Sequence, residues 1–405
     1  MFRTKYSNHA VDYSKIDFAL NFCKFDSPVN YVTEIIMLVG GKNYESIWPD
    51  ESDPSVIKAI DQQKLPFSFE ICEMRSAEDV FTAISEMSVR GAPLIGAAGA
   101  FGIYLASLEM NSSSDQEHHL ENAARYLISC RPTAVNLSWG VNFVLEKIRN
   151  RRHNEDVSAT ALRAAVEICR LEKENCRKIG INALPLIEEI SRKKKGEVVN
   201  ILTHCNAGWL ACIDYGTVTA PFYFAHEAKI PLHIWVDETR PRNQGARLTA
   251  WELGEAGVPH TLIADNTGGH LMQHGMVDLV LVGCDRATRR GDVANKIGTY
   301  LKALAAFDNK IPFYAVLPST SIDFSLSDGI TEIPVEERDP EEVTNISGLY
   351  GKDIVNIRLC PERTNALNFG FDITPAKYIT GLVTEKGICS AGENEIKKMF
   401  PEKIK

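Results

Sequence analysis

The sequence predicts an α/β protein in which a mainly helical N-terminal domain precedes a domain built on a doubly wound parallel sheet. Apolar residues recur at helical spacing from Ser76 to about residue 192, and short apolar runs alternate with helical stretches after Gly196. This alternation is typical of a parallel sheet whose strands are connected by helices. Because 405 residues exceed the usual size of one hydrophobic core, two domains are expected.

The N-terminal domain is predicted over residues 46–195, after an extension of unknown role that covers residues 1–45. Ser76, followed by two acidic residues, is typical of a helix start. The basic run at 192–195 predicts a solvated helix end, with an anion site as the alternative. Short strands are expected at 56–60 and 67–71, and long helices at 93–108, 118–130, 136–151 and 156–192.

A Rossmann-like domain is predicted over residues 196–395. Residues 325–370 within it are rich in Pro, Glu, Asp and Arg, which indicates an excursion over the surface. Its apolar strands are expected at 198–202, 232–236, 260–264, 278–283, 311–317 and about 377–383.

The composition excludes several classes of protein. A net charge of −9 argues against a broad nucleic-acid-binding surface, which needs clustered Lys and Arg. No apolar run reaches the roughly 18 residues of a membrane span, and the N-terminus lacks the apolar core of a secretory signal. The ten cysteines show neither a CxxC pair nor zinc-ligand spacing, so we expect free thiols, a cytoplasmic location and no metal.

Two predicted strand ends carry residues suited to acid–base chemistry. Cys205 follows the strand at 198–202, and Asp285 follows the strand at 278–283. Open α/β sheets bind ligands at the carboxyl ends of their strands, so this thiol and carboxyl group form a candidate catalytic pair. Taken singly, Cys205 is also consistent with a buried structural thiol, and Asp285 with a partner for Arg286.

The segment around Arg90, Gly91 and Ala92 precedes Pro93 and a stretch rich in Gly and Ala. Proline fits the first turn of a helix, and glycine before it permits close backbone approach. The positive end of that helix and Arg90 would together hold a phosphate. Tight packing of a small-residue helix on a neighbour is the alternative, and the two explanations are compatible.

Two other segments hold candidate binding residues. Arg131 lies in a turn before a helix that Thr133 or Asn136 could cap, although a surface position is the commoner fate of such an arginine. Gln244 lies beside Gly245 in an arginine-rich loop and suits hydrogen bonding to a sugar hydroxyl as donor and acceptor.

Asn295 and Lys296 are expected to begin a helix that continues through residues 300–304. A lysine at a helix N-terminus opposes the helix dipole, so we expect Lys296 to have an anionic partner. The sequence contains neither a GxxxxGK[ST] phosphate loop nor a GxGxxG fingerprint, which argues against a nucleotide cofactor.

Together these motifs resemble the methylthioribose-1-phosphate isomerase family over roughly residues 45–390. The resemblance implies that Cys205 and Asp285 are catalytic and that a sugar phosphate is bound by Arg90, Gly91, Ala92, Arg131, Gln244, Asn295 and Lys296. It also implies a small domain before a Rossmann-like domain, a homodimer and no cofactor. The motifs are Val-Arg-Gly-Ala-Pro (89–93), Arg-Pro-Thr-Ala-Val-Asn-Leu (131–137), Thr-His-Cys-Asn-Ala-Gly (203–208), Asp-Glu-Thr-Arg-Pro (237–241), Gln-Gly-Ala-Arg-Leu-Thr-Ala-Trp-Glu-Leu (244–253) and Gly-Asp-Val-Ala-Asn-Lys-Ile-Gly-Thr (291–299).

Some segments depart from that pattern. The first 40 or so residues have no counterpart in the family, and residues 288–290 (Thr-Arg-Arg) replace small or neutral residues. Residues 265–272 are closer to the 5-deoxyribose-1-phosphate isomerases. Isomerisation of ribose 1,5-bisphosphate is a further alternative, and a non-catalytic regulatory subunit is disfavoured because Cys205 and Asp285 are both present.

The chemistry implied for the pair is acid–base catalysis. Asp285 would protonate the ring oxygen of an aldose 1-phosphate, which requires a raised pKa in an apolar surround. Cys205 would move a proton at C2 or C1, with its thiolate favoured by loop N–H groups and nearby cations. An enediol route and a direct hydride shift both remain open.

Overall fold

The structure is a computed structural model that describes residues 38–110, 115–131 and 134–403. Most of the predicted N-terminal extension, and Thr133 as a predicted helix cap, therefore lie outside the described residues. In these ranges no helix is both long enough and apolar enough to cross a membrane.

Short antiparallel strands and five helices form the N-terminal part of the chain. The four predicted long helices are confirmed within about two residues at each end. The elements are β1 (Leu38–Val39), β2 (Lys42–Asn43), β3 (Ile47–Pro49), β4 (Ile57–Ile60), β5 (Ile71–Met74), α1 (Ala77–Ser85), α2 (Ala92–Leu108), α3 (Gln116–Ser129), α4 (Val135–Arg149) and α5 (Val157–Lys193).

Two local predictions in this part were wrong. The strand expected at 67–71 begins only at residue 71, where it forms β5. A turn precedes it, because the Lys64 carbonyl accepts hydrogen bonds from the N–H groups of Phe67 and Ser68. The N-cap of α4 is Ala134, without a side-chain cap. Asn136 instead lies inside the helix and donates to Thr320 Oγ1 (3.4 Å) across the interface with the C-terminal part.

Helix starts and helix packing follow the sequence closely elsewhere. Ser76 caps α1 in a capping box, in which Ser76 Oγ accepts from the Asp79 N–H and Asp79 accepts from the Ser76 N–H. Helix α2 is buried from residue 93 to 107. A Cβ on Gly140 of α4 would lie 2.1 Å from the Gly96 carbonyl oxygen of α2, so the small residues allow backbone contact between these helices.

The C-terminal part confirms the doubly wound sheet. Its seven strands run in the order β18-β17-β12-β9-β6-β7-β8, with every neighbouring pair parallel except β17 and β18. The predicted strand at 377–383 begins late, at β17, because residues 376–378 form a 3-10 turn. The elements of the first half are β6 (Val199–Thr203), α6 (Ala220–Glu227), β7 (Leu232–Asp237), α7 (Ala250–Glu255), β8 (His260–Ile263), α8 (Thr267–Gln273) and β9 (Leu279–Val282).

The second half adds a small mixed sheet beside the large one. Its strand order is β13-β10-β11-β16. The elements are β10 (Arg286–Thr288), β11 (Val293–Lys296), α9 (Thr299–Asp308), β12 (Phe313–Val316), β13 (Ile322–Asp323), α10 (Gly329–Glu332), α11 (Glu341–Thr344), β14 (Asn345–Tyr350), β15 (Asp353–Arg358), β16 (Phe371–Thr374), β17 (Gly381–Thr384), β18 (Gly387–Cys389) and α12 (Glu393–Met399).

This small sheet corrects the prediction for Asn295 and Lys296. Both residues end strand β11, and helix α9 begins three residues after Lys296, with Gly298 as its N-cap. Four consecutive residues of β11 pair with β16, and this pairing keeps Lys296 in the strand. The dipole argument therefore does not apply to Lys296.

The strand order places a switch point between β6 and β9. Strands β6, β7 and β8 build outward on one side, and β9, β12 and β17 build outward on the other. Connections leave β6 and β9 in opposite directions, so a crevice opens at their carboxyl ends. Cys205 follows β6 and Asp285 follows β9, which brings the two predicted catalytic residues to this crevice.

A buried carboxyl group on α5 makes stability depend on pH. Glu172 is fully buried, and its Oε2 has no hydrogen-bond partner among the described residues. Burial, with the charge of Glu385, raises the pKa of Glu172 from 4.5 to about 7. The folded state therefore binds the proton of the Glu172 carboxyl group more tightly than the unfolded state does. The stability that this proton contributes is complete below pH 4.5 and is lost as the pH rises through about 7.

We therefore expect the Glu172→Gln variant to lose part of the pH dependence of unfolding. The shift corresponds to roughly 3 kcal/mol between pH 4.5 and 7, because one pKa unit is about 1.4 kcal/mol. Denaturant unfolding at pH 5 and pH 8 measures the difference. Parallel changes in the wild type and the variant would show that Glu172 does not titrate in this range.

Candidate active site

All nine predicted site residues line one cavity at the switch point. They come from the loop before α2, the turn before α4, the ends of β6, β9 and β11, and the loop after β7. The nine are Arg90, Gly91, Ala92, Arg131, Cys205, Gln244, Asp285, Asn295 and Lys296.

Cys205 is held in a strained backbone conformation. Its φ is +65°, a left-handed value that costs a residue with a Cβ about 1–2 kcal/mol. Its N–H donates to Thr239 Oγ1 (2.8 Å), and its carbonyl accepts from Thr249 Oγ1 (2.7 Å). The two hydroxyls bind both backbone groups of Cys205 and so fix the direction of its Cα–Cβ bond.

Cys205 is subject to an effect of burial that the sequence did not indicate. Burial is the largest influence and raises the pKa of the thiol, although the charges of Arg90 and Lys296 and the Asn206 N–H oppose it. The charge of Asp285 acts in the same direction as burial. The cations and the Asn206 N–H therefore act in the expected direction, but burial, which the expectation left out, outweighs them, so the net shift of the pKa is upward.

Asp285 has the character expected of a proton donor. Burial raises the pKa of its carboxyl group, and the charges of Lys296, Arg131 and Arg90 partly counteract that effect. The Asp285 N–H donates to the Ala294 carbonyl (3.0 Å), which ties the residue to β11. A carboxyl group with a raised pKa retains its proton at higher pH than a free one.

Two cations of the cavity lack an acidic partner. Among the described residues, no carboxylate lies within 4.0 Å of Arg90 or Lys296, which is the distance that defines the ion pairs found elsewhere in the chain. Lys296 Nζ donates to the Gly370 carbonyl (2.9 Å) and lies 4.3 Å from the centre of the Phe371 ring. Burial lowers the pKa of Lys296, so a bound anion would stabilise its charge.

Arg131 is already paired. Its guanidinium donates to Glu336 Oε2 (2.9 Å), while its Nε has no partner among the described residues. Both side chains are largely buried, so the surface position considered for Arg131 was wrong.

The backbone before α2 also fits the predicted anion site. Gly91 is the N-cap, with a φ of +104°, and Ala92 and Pro93 follow in the first turn. A Cβ on Gly91 would lie 2.4 Å from the Ala211 carbonyl oxygen, so only glycine fits this approach. The positive end of a 17-residue helix thus faces the cavity beside Arg90.

Gln244 and Asn295 supply polar groups on the other walls. Gln244 Oε1 is buried and has no hydrogen-bond partner among the described residues. Asn295 Nδ2 donates to Thr299 Oγ1 (2.9 Å), and this bond holds its amide in place. A ligand hydroxyl would satisfy the oxygen of Gln244.

Sequence reasoning missed a buried charge network next to Cys205. His204 donates from Nε2 to the Ile297 carbonyl (2.8 Å), and its Nδ1 lies 2.9 Å from Asp237 Oδ2. Lys302 Nζ lies 3.0 Å from the same Asp237 oxygen. The side chain before Cys205 is therefore held in place by Asp237 of β7 and by the Ile297 carbonyl between β11 and α9, which are distant from it in sequence.

The described residues include one group of potential metal ligands: His204, Asp237 and Asp265. The Lys302 ammonium group already neutralises Asp237 there. The Asp265 oxygens accept hydrogen bonds from the N–H groups of Thr239 and Arg240, both at 2.7 Å. These contacts show that the group is a hydrogen-bonded network.

Part of the segment predicted as a surface excursion also reaches the cavity. Strands β14 and β15 are largely exposed, as expected. Ile333 and Pro334, however, line the cavity, and Phe371 follows the segment into it. No periodic pattern in the sequence indicates this, because the segment contributes through isolated loop residues.

The family comparisons agree with this fold. A model of the Initiation factor 2 subunit family matches residues 88–391. A methylthioribose-1-phosphate isomerase of Desulfatibacillum aliphaticivorans is 53% identical over 369 residues, which are 91% of this chain and all of that protein. The chain therefore belongs to the methylthioribose-1-phosphate isomerase family.

Two solved structures have the same fold. A 5-methylthioribose 1-phosphate isomerase from Pyrococcus horikoshii is 36% identical, with a TM-score of 0.76 over 89% of this chain and 97% of the other. A structure from A. fulgidus described as the delta subunit of translation initiation factor eIF-2B is 37% identical, with a TM-score of 0.72 over 89% of this chain and 100% of the other.

Proposed function

We propose that this protein is an aldose 1-phosphate isomerase that converts 5-methylthioribose 1-phosphate into 5-methylthioribulose 1-phosphate. The observation that supports the proposal most is the shared cavity, in which Cys205 and Asp285 face a group of cations at the switch point. The names of the relatives agree with it. The reaction would serve methionine salvage.

The substrate phosphate is assigned to Arg90, Lys296 and the first turn of α2. Both cations lack a carboxylate partner among the described residues, and the helix end adds N–H donors. A phosphate there would offset the cost of burying Lys296. Gln244, Asn295 and Arg131 line the remaining polar walls and are assigned to the sugar hydroxyls and the phosphate edge.

The chemistry follows from the esterified anomeric oxygen, which prevents spontaneous ring opening. Asp285 donates its proton to the ring oxygen as the bond from that oxygen to C1 breaks. Hydrogen then moves from C2 to C1, either as a hydride or through an enediol. The C2 hydroxyl becomes a carbonyl and releases its proton, which returns to the Asp285 carboxylate and balances the proton given to the ring oxygen. Cys205 moves a proton at C2 or C1, and the isomerisation is redox-neutral, so no cofactor is needed for balance.

The C5 group is assigned to the apolar part of the cavity. Met87, Ile95, Val135, Ile333 and Pro334 contribute apolar side chains to the lining. This surface suits a methylthio group and offers no hydrogen bond to a phosphate. The N-terminal segment considered as a source of selectivity lies outside the described residues.

The two neighbouring arginines Arg289 and Arg290 do not reach the cavity. Arg289 Nε and Arg290 Nε each lie 3.2 Å from Glu393, and neither residue lines the cavity. This arrangement disfavours ribose 1,5-bisphosphate as the substrate. A recess beside Gln244 is lined by Arg247 and Lys64 and is the alternative place for a second phosphate.

We expect the purified chain to isomerise both 5-methylthioribose and 5-deoxyribose 1-phosphates, with the methylthio compound preferred. One methylene in an apolar pocket gives about 10- to 200-fold discrimination, and the methylthio compound carries a sulfur and a methyl group that the 5-deoxy compound lacks, so the preference in kcat/KM should be at least about 10-fold. Ribose 1,5-bisphosphate should be turned over at least ~100-fold less well, because burying an unpaired phosphate is costly. Efficient turnover of the bisphosphate would contradict the assignment and point to the recess with Arg247.

A non-catalytic sensor of sugar phosphates is the second candidate. The similarity to the A. fulgidus structure favours it, whereas the presence of both Cys205 and Asp285 favours the isomerase. Binding of 5-methylthioribose 1-phosphate without turnover, measured by calorimetry and by product assay on the same sample, would favour the sensor.

We also propose that the chain works as a cytoplasmic homodimer with domains over 46–195 and 196–395. Exposed apolar side chains on the β14–β15 hairpin, such as Leu349, Tyr350 and Ile354, are suited to contact with a second copy. Sedimentation equilibrium reports the mass and would show a monomer if the proposal is wrong.

A further inference from the structure

Glu252 is a buried acid from the 244–253 motif to which the proposed reaction gives no role. It lies on α7, is 1% exposed and contacts the loop that follows Cys205. Its Oε1 accepts from the Leu210 N–H (2.8 Å) and from Asn206 Nδ2 (3.2 Å). The Tyr223 hydroxyl donates to Oε2 (3.3 Å).

The contact between this acid and the loop is close. A Cβ on Gly208 would lie 1.6 Å from Glu252 Oε2, so the loop can approach the carboxyl group only with glycine at this position. Burial raises the pKa of Glu252 to about 7, and its hydrogen bonds and the charge of Arg90 limit the rise. Such a buried acid is costly to maintain unless its contacts contribute to function or stability.

The contacts of Glu252 determine the orientation of the Asn206 amide. Asn206 Nδ2 donates to Glu252 Oε1 and to Thr249 Oγ1 (3.1 Å), whose own hydrogen is donated to the Cys205 carbonyl. Both neighbours therefore accept from the amide nitrogen. The amide oxygen of Asn206 must then face the opposite side, towards Arg90.

Arg90 is bound by that oxygen. Its NH1 group donates to Asn206 Oδ1 (2.7 Å), and its NH2 group donates to the Asn206 carbonyl oxygen (2.9 Å). A guanidinium has five N–H groups, so others remain for a ligand in the cavity that Arg90 lines. If the Asn206 amide were reversed, two donors would face each other and the bond to the NH1 group of Arg90 would be lost, which would leave only the backbone carbonyl of Asn206 to hold the guanidinium.

We propose that Glu252 is a positioning residue for the substrate phosphate, acting through Asn206 on the guanidinium of Arg90. The inference rests on the proposed function only in assigning Arg90 to the phosphate. Glu252 does not touch the substrate. It sets the direction of one cation before the substrate arrives, and this lowers the cost of ordering that cation on binding.

The test compares Glu252→Leu with Glu252→Gln. Leucine removes both acceptor oxygens, so KM for the sugar 1-phosphate should rise about 10-fold or more while kcat stays within about threefold. Glutamine keeps an oxygen that accepts from Asn206 and Leu210, and its amide can donate to the Tyr223 oxygen. KM of Glu252→Gln should therefore stay close to the wild-type value. Glu172→Gln changes another buried acid with a pKa near 7 and is the matched control, with KM unchanged.

A double-mutant cycle separates positioning from a general loss of structure. In an Arg90→Ala background, Glu252→Leu should raise KM no further, because its effect passes through Arg90. Additive effects, or an unchanged KM in folded Glu252→Leu, would overturn the inference. If Glu252→Leu does not fold, Asn206→Ala removes the same acceptor from Arg90 and carries the same prediction.

Binding of inorganic phosphate distinguishes this inference from the proposed function. If the wild type has no isomerase activity and Glu252→Leu binds phosphate more weakly than the wild type does, the proposed function is refuted and the positioning role is retained. If the wild type turns over the substrate and Glu252→Leu binds phosphate as tightly as the wild type, the proposed function is retained and the positioning role is refuted. Circular dichroism and thermal melting establish that each variant is folded.

Discussion

The Asp285→Asn and Cys205→Ala variants are each expected to fold normally and to lose at least ~10²-fold in kcat, the usual scale of positioned acid–base catalysis. Asparagine has the shape of aspartic acid but cannot donate a proton to the ring oxygen. Alanine at position 205 removes the thiol and leaves the backbone contacts to Thr239 and Thr249 in place. Steady-state kinetics with 5-methylthioribose 1-phosphate measure both losses.

Cys212 is the matched control for the cysteine. It is another buried thiol that lines the same cavity, but it has no place in the proposed reaction. The Cys212→Ala variant should keep kcat within about threefold, because a buried Cys without a catalytic role acts as a small apolar residue. Near-wild-type turnover in Asp285→Asn or Cys205→Ala would remove that residue from the mechanism.

The Lys296→Met and Arg90→Ala variants should mainly lose substrate affinity. Loss of one charge-assisted hydrogen bond to the phosphate corresponds to about 1.5–3 kcal/mol, or roughly 10- to 150-fold in KM. Without ligand, Lys296→Met should be more stable than the wild type, because the Gly370 carbonyl and the Phe371 ring only partly compensate burial of the lysine charge. Substrate kinetics and calorimetry with inorganic phosphate measure the two effects.

Arg289→Met provides the matched control for these cations. Arg289 pairs with the partly exposed Glu393 away from the cavity, and such exposed pairs contribute about 0–1 kcal/mol to stability. KM should therefore be unchanged. An unchanged KM in Lys296→Met, or a raised KM in Arg289→Met, would contradict the assignment of the phosphate to the switch-point cavity.

The local patterns of the sequence predicted most of the elements. Helices α2 to α5 and the strands β6, β7, β8, β9 and β12 of the large sheet have strong 3.6-residue periods or apolar runs, and their positions were confirmed. The errors fall where a tertiary contact decides the local structure. Lys296 was expected to begin a helix, yet pairing of β11 with β16 keeps it in a strand.

The sequence by itself determined which residues come together at the site. Cys205 and Asp285 each follow an apolar strand, and a parallel sheet brings the carboxyl ends of its strands to one edge, so their meeting could be predicted. The prediction of an anion site at Arg90 and Gly91 followed from the start of a helix in the same way. These inferences hold because strand and helix ends are local features of the chain.

Only the tertiary structure decided the pKa values of those residues and the contacts that hold their side chains in place. The pKa of the Cys205 thiol depends on how completely water is removed, and neighbouring cations in the sequence do not report this. The role proposed for Glu252 depends on contacts that join α7 to the loop after β6. Burial and hydrogen-bond direction arise only when distant segments pack together, and no pattern along the chain records them.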